Sequence, residues 1–163
     1  MLILLDIDGV MVPANSWKKP EFMEDGFPVF SFRSVKALQR IIAETNASVV
    51  LTTSHKTKYN AVEWKRLLKL RGISPKKVQR LTTNSLQISR KEEILEWYWK
   101  KHDFKEEFVI IDDDKMLSSL PENLKENLVL TSPSVGLTDD LADEAISILQ
   151  KSLRSRGSGP YSS

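Results

Sequence analysis

Leu2-Ile3-Leu4-Leu5-Asp6-Ile7-Asp8-Gly9-Val10 is the stretch from which the fold is read. An unbroken apolar run of this length predicts a strand buried on both faces, as in a parallel sheet covered by helices on each side. Asp6 and Asp8 then leave the sheet at its carboxyl end, where open α/β sheets bind their ligands. Alternate residues of a strand share one side, so the two carboxylates converge while Ile7 stays in the core. Gly9 permits a sharp turn of the backbone beside them. Two carboxylates next to a low-dielectric interior repel one another unless a cation or a proton separates them, and a bound metal is the natural solution.

Outward from this strand, the pattern of the chain repeats strand and helix. Residues 11–32 hold Pro13, Pro20, Gly26 and Pro28 among Trp17, Phe22, Phe27, Phe30 and Phe32, which reads either as a compact flap over the strand end or as a loop whose aromatics plug the core. A helix is expected over 34–44, with Val35, Leu38, Ile41 and Ile42 on one face, and a buried strand over 47–52. Residues 59–71 repeat apolar positions at Val62, Leu67, Leu68 and Leu70 among basic residues, giving an amphipathic helix that Gly72 ends. Lys65, Arg66, Lys69 and Arg71 would form its basic, solvated face. A short strand over 78–81 follows. Ser89-Arg90-Lys91-Glu92 fits a capping box that opens a helix reaching about residue 100, with Ile94 and Trp97 inward. Phe108-Val109-Ile110-Ile111 is another fully apolar strand, and it ends in Asp112-Asp113-Asp114. A last strand is expected over 128–130, and Thr138 can cap a closing helix with Leu141, Ala145, Ile148 and Leu149 at helical spacing. Strands alternating with helices predict a mostly parallel sheet, so the acidic ends of two such strands should meet in space.

Composition narrows the classes open to the chain. Its 163 residues suffice for one domain with a substantial core, and 40% hydrophobic content is ordinary for a globular fold. The absence of cysteine excludes disulfides, thiolate zinc sites and cysteine nucleophiles. A formal net charge of +2 makes no strong case for nucleic acid. The apolar start is too short to span a membrane, lacks a basic leader and is interrupted by Asp6 and Asp8, so a cytoplasmic protein without a membrane partner is expected. An Asp-x-Asp-Gly run also begins calcium loops, but Val10, Met11, Val12 and Trp17 occupy positions where such a loop needs oxygen ligands.

Taken in order, the strand-end motifs from Asp6 to Asp113 resemble those of the haloacid dehalogenase-like (HAD) phosphohydrolase superfamily. The resemblance implies a Rossmann-like α/β three-layer sandwich and assigns Asp6 as nucleophile and Asp8 as general acid and base. The second motif is matched by Val49-Val50-Leu51-Thr52-Thr53-Ser54, whose hydroxyl and following amide would bind phosphoryl oxygens, with Thr53 assigned and Thr52 its nearest rival. Gly9, Thr52, Thr53, Ser54, His55 and Lys56 are the expected substrate-binding residues, His55-Lys56 standing where some relatives carry an aromatic followed by a basic residue. For the third motif, a basic residue near a helix start, Arg90 is favoured and Lys91 kept. The fourth is matched by Asp112-Asp113. Asp6, the Asp8 backbone carbonyl, Asp112 and Asp113 would then hold Mg²⁺, which prefers hard oxygen ligands.

Members of the superfamily differ in cap domains inserted after the first motif or between the second and third. Neither interval is long enough here, so the resemblance is to the small capless type. Residues 1–153 are expected to form one phosphatase domain, with the flap at about 11–32 and a flexible tail over 154–163. An open site favours a large or macromolecular phosphate ester over a small sugar phosphate, by analogy. Alternatives are a catalytically idle binding or regulatory module and a phosphatase repairing nucleic-acid ends. Oligomeric state is not legible.

Overall fold

The computed structural model describes residues 1–14, 19–82, 88–100 and 105–151. Trp17 of the expected flap and the tail over 154–163 lie outside them. The described residues form a parallel five-stranded sheet in the order β3-β2-β1-β4-β5, where β1 is Leu2–Leu5, β2 Ser48–Leu51, β3 Val78–Arg80, β4 Phe108–Asp112 and β5 Leu128–Leu130. Five helices alternate with them: α1 (Phe32–Thr45), α2 (Ala61–Leu70), α3 (Arg90–Lys100), α4 (Glu122–Lys125) and α5 (Asp139–Leu149). A 3-10 turn over Lys115–Ser119, which the apolar pattern did not announce, precedes α4. This is the expected Rossmann-like sandwich, and its sheet is parallel throughout.

Side-chain alternation divides the core in two. Ile3, Leu5, Val49, Leu51, Val109 and Ile111 face α1, α2 and α5, whereas Leu4, Val50 and Ile110 face α3 and the 3-10 turn. Each such fully buried Leu or Ile contributes about 1.5–3 kcal/mol, which is why continuous apolar runs settle at the sheet centre. β1 lies in the middle of the sheet and is flanked by β2 and β4, so its carboxyl end has strand ends on both sides.

The helix boundaries follow local chemistry. At α3, the Glu92 amide donates to Ser89 Oγ at 3.1 Å and the Ser89 amide to Glu92 Oε1 at 3.4 Å, the capping box read from the sequence. Thr138 caps α5 through the Leu141 amide. At α2, Asn60 and Glu63 form an unanticipated capping box that starts the helix at Ala61. Trp64 therefore takes the inward position with Leu67 and Leu68, while Val62 and Leu70, expected inside, are exposed.

The flap aromatics divide likewise. Phe27 and Phe30 are buried in the main core, but Phe22 and Phe32 are exposed. Arg71 also departs from its expected place on a solvated face. Its guanidinium is buried, pairs with Asp25 at 2.6 Å and donates to the carbonyls of Phe27 at 2.9 Å and Pro28 at 3.0 Å. Lys65, Arg66 and Lys69 stay exposed. No helix among the described residues is long and apolar enough to cross a membrane.

Candidate active site

Register brings the acidic strand ends together. Leu5 is level with Leu51 on β2 and with Ile111 on β4, and the ladder continues through the Thr52 amide to Leu5 O and the Asp6 amide to Ile111 O. One residue beyond that level, Asp6, Thr52 and Asp112 form a row across three strands. By alternation with Leu4, Val50 and Ile110, the row points toward the side of the sheet that α3 covers. The first residue of α3 meets it there. Arg90 Nη1 lies 2.6 Å from Asp112 Oδ2 and 3.3 Å from Asp6 Oδ1.

Asp6, Asp112 and Asp113 offer carboxylate oxygens that all lie within 4.8 Å of one another. Such crowding under a buried sheet end has an electrostatic cost. Burial and then the neighbouring Asp112 push the Asp6 carboxyl up to about 8, although Arg90 draws it down. Burial raises Asp112 as well, against the same pull from Arg90. Burial works against the Arg90 charge, but Asp112 and Asp6 hold its guanidinium above its ordinary value. The single guanidinium of Arg90 thus does not offset the burial of Asp6 and Asp112 together. The donor set, hard oxygens without nitrogen or sulfur, fits a divalent cation of the Mg²⁺ kind.

The first loop is built to close on this cluster. Gly9 has φ +77°, and a Cβ there would overlap the Asp113 carboxylate. Its carbonyl accepts from Thr131 Oγ1 at 2.8 Å, so the end of β5 braces the loop. Asp8 is largely exposed, and its Oδ2 is 2.9 Å from His55 Nε2.

The hydroxyl residues after β2 have different fates. Thr52 and Thr53 are both fully buried. Thr53 Oγ1 accepts from the His55 amide at 3.3 Å, whereas Thr52 Oγ1 has no hydrogen-bond partner among the described residues. Ser54 is exposed and lines the cavity that opens above the cluster. Lys56 turns away from it and pairs with Glu93 of α3 at 2.9 Å. Between the two candidates at the helix start, Arg90 enters the site and Lys91 does not line it.

The cavity measures about 480 Å³, with Asp6, Asp8, Ser54, Arg90, Asp112 and Asp113 in its wall. Asp114, Lys115 and Pro133 complete it and were not anticipated. Asp114 caps the 3-10 turn through the Met116 amide at 3.0 Å, and that turn carries Lys115 to the mouth. A basic residue directly after an acidic strand end was the available signal for Lys115. Thr131, a polar residue directly after β5, was the signal for the brace on Gly9.

A family model described as the HAD domain in Swiss Army Knife RNA repair proteins matches residues 2–142. No curated protein and no solved structure matches the chain.

Proposed function

The chain belongs to this family of HAD domains, and from that premise we propose that it is a Mg²⁺-dependent phosphohydrolase working through an aspartyl-phosphate on Asp6. The observation that carries the reading is the convergence of Asp6, Asp112 and Asp113 beside Arg90 at the end of the central strands. In the first step an Asp6 carboxylate oxygen attacks phosphorus while Asp8 gives its proton to the departing oxygen. In the second, Asp8 takes a proton from water, the water oxygen attacks phosphorus, and Asp6 leaves as carboxylate with inorganic phosphate released. Arg90 holds Asp6 and draws on the transferring oxygens. The buried Thr52 hydroxyl, unpartnered among the described residues, is the donor we assign to a phosphoryl oxygen, in preference to Thr53, whose oxygen is engaged within the loop. Mg²⁺, held by Asp6, Asp112, Asp113 and the Asp8 carbonyl, would offset negative charge between site and substrate.

The family's RNA-repair setting and the open cavity together favour a phosphorylated RNA end as substrate over a small sugar phosphate. The test is hydrolysis of an aryl phosphate, of small metabolite esters and of 5′- and 3′-phosphorylated oligoribonucleotides. Wild-type protein should release phosphate only with Mg²⁺, and Asp6→Asn should abolish release. Substantial turnover by Asp6→Asn would remove Asp6 as nucleophile, and preference for small esters would remove the RNA-end substrate.

A further inference from the structure

We infer that His55 is the positioning residue of Asp8, holding the carboxyl that moves the proton, and that the flap acts in the site by holding His55. This rests on the phosphohydrolase reading above. With Nε2 protonated it donates to Asp8 Oδ2 across the 2.9 Å contact, the direction this proposal takes. Oδ1 is thereby left as the oxygen that carries the proton. Asp8 is 58% exposed and sits on a loop, where a short side chain without a partner would rotate freely.

The histidine is itself supported from the core. Phe27, 1% exposed, meets the His55 ring edge-on with centroids 5.6 Å apart. Tyr59 and Trp64 pack on Phe27 in the same edge-on manner, at 6.1 and 5.4 Å. Arg71 donates to the Phe27 carbonyl at 2.9 Å and stacks 5.5 Å from its ring. A chain of contacts thus runs from the buried Arg71 guanidinium, paired with Asp25 at the surface, through Phe27 and His55 to Asp8. It gives the flap a task other than covering the mouth.

The experiment compares kcat/KM for an alkyl and an aryl phosphate, since this ratio reports the first step, in which the leaving oxygen departs. An alkoxide needs a proton from Asp8, whereas a weakly basic aryl oxide needs little help. His55→Phe keeps an aromatic ring against Phe27 and removes the donor. We expect it to lower kcat/KM for the alkyl ester roughly 100-fold more than for the aryl ester, the scale of a general acid's contribution. His55→Gln, whose amide can replace Nε2–H, should recover most of that difference. Equal losses on both esters, or none, would overturn the inference.

If wild-type protein hydrolyses no ester at all, the phosphohydrolase reading is what fails. The pairing is then decided by long-range ¹H–¹⁵N spectra of the imidazole, assigned with His102→Gln. A His55 Nε2–H signal that moves in Asp8→Asn supports the contact, and one that stays unchanged removes it.

Discussion

Replacing Thr52 by valine should make the protein more stable and less active. Thr52 is fully buried, and its Oγ1 has no hydrogen-bond partner among the described residues. An orphaned buried hydroxyl costs about 1–3 kcal/mol relative to one that is satisfied or absent. Valine has nearly the same shape and places a methyl group there instead. Thr52→Val should therefore stabilise the metal-free protein by about 2 kcal/mol, a rise in Tm of roughly 4–8 °C for a domain of this size. On the proposed role of Thr52 as donor to the transferring phosphoryl group, the same substitution should lower kcat about 10²–10³-fold. Thr53→Val should differ on both counts. Its hydroxyl accepts from the His55 amide, so its loss should destabilise by about 1 kcal/mol and affect turnover less. Thermal or urea unfolding of both variants, read beside steady-state hydrolysis, measures all four quantities. A Thr52→Val protein that melts lower than wild type and keeps its activity would refute the reasoning.

The raised Asp6 pKa makes ion binding depend on pH. Its contribution to stability is complete below the unfolded value near 3.8 and is lost as pH rises through about 8, while a cation must displace the proton to bind. Apparent Mg²⁺ affinity, followed by thermal shift, should rise roughly 50-fold from pH 6 to pH 8, and a flat profile would contradict the assignment. Arg90→Met leaves Asp6 and Asp112 buried without their cation. It should cost about 3–5 kcal/mol in urea unfolding at pH 8 and less at pH 5, where the carboxyls bind protons. Equal losses at the two pH values would count against that coupling. Gly9→Ala imposes a positive φ on an L-residue, costs about 1–2 kcal/mol and displaces Asp113. The Mg²⁺-induced rise in Tm should shrink in this variant, and full retention of it would show that Asp113 is dispensable to the ion.

Much of the fold was legible because its causes are local. Four apolar runs without alternation mark β1, β2, β4 and β5 as strands covered on both faces, and the Ser89–Glu92 box marks where α3 begins. Helix phase was less legible where an early cap shifts it. Asn60 and Glu63 start α2 so that Trp64 turns inward and Val62 outward, although both are apolar. Arg71 reads as one more basic residue of that helix until Asp25, 46 positions earlier, is seen beside it.

The same division runs through the site. By itself the sequence determined that carboxylates end two apolar strands and that a basic residue opens α3, since strand ends and helix starts are set by neighbouring residues. Tertiary structure decided between near neighbours. Thr52 rather than Thr53 joins the row of Asp6 and Asp112 because parallel register sets the height of each strand and alternation sets the side. Arg90 rather than Lys91 reaches that row because consecutive helix residues point about 100° apart, and only docking of α3 on the sheet selects the one that faces it. His55 meets Asp8 across 47 positions because β2 lies next to β1, and no local pattern carries a contact created by the pairing of strands.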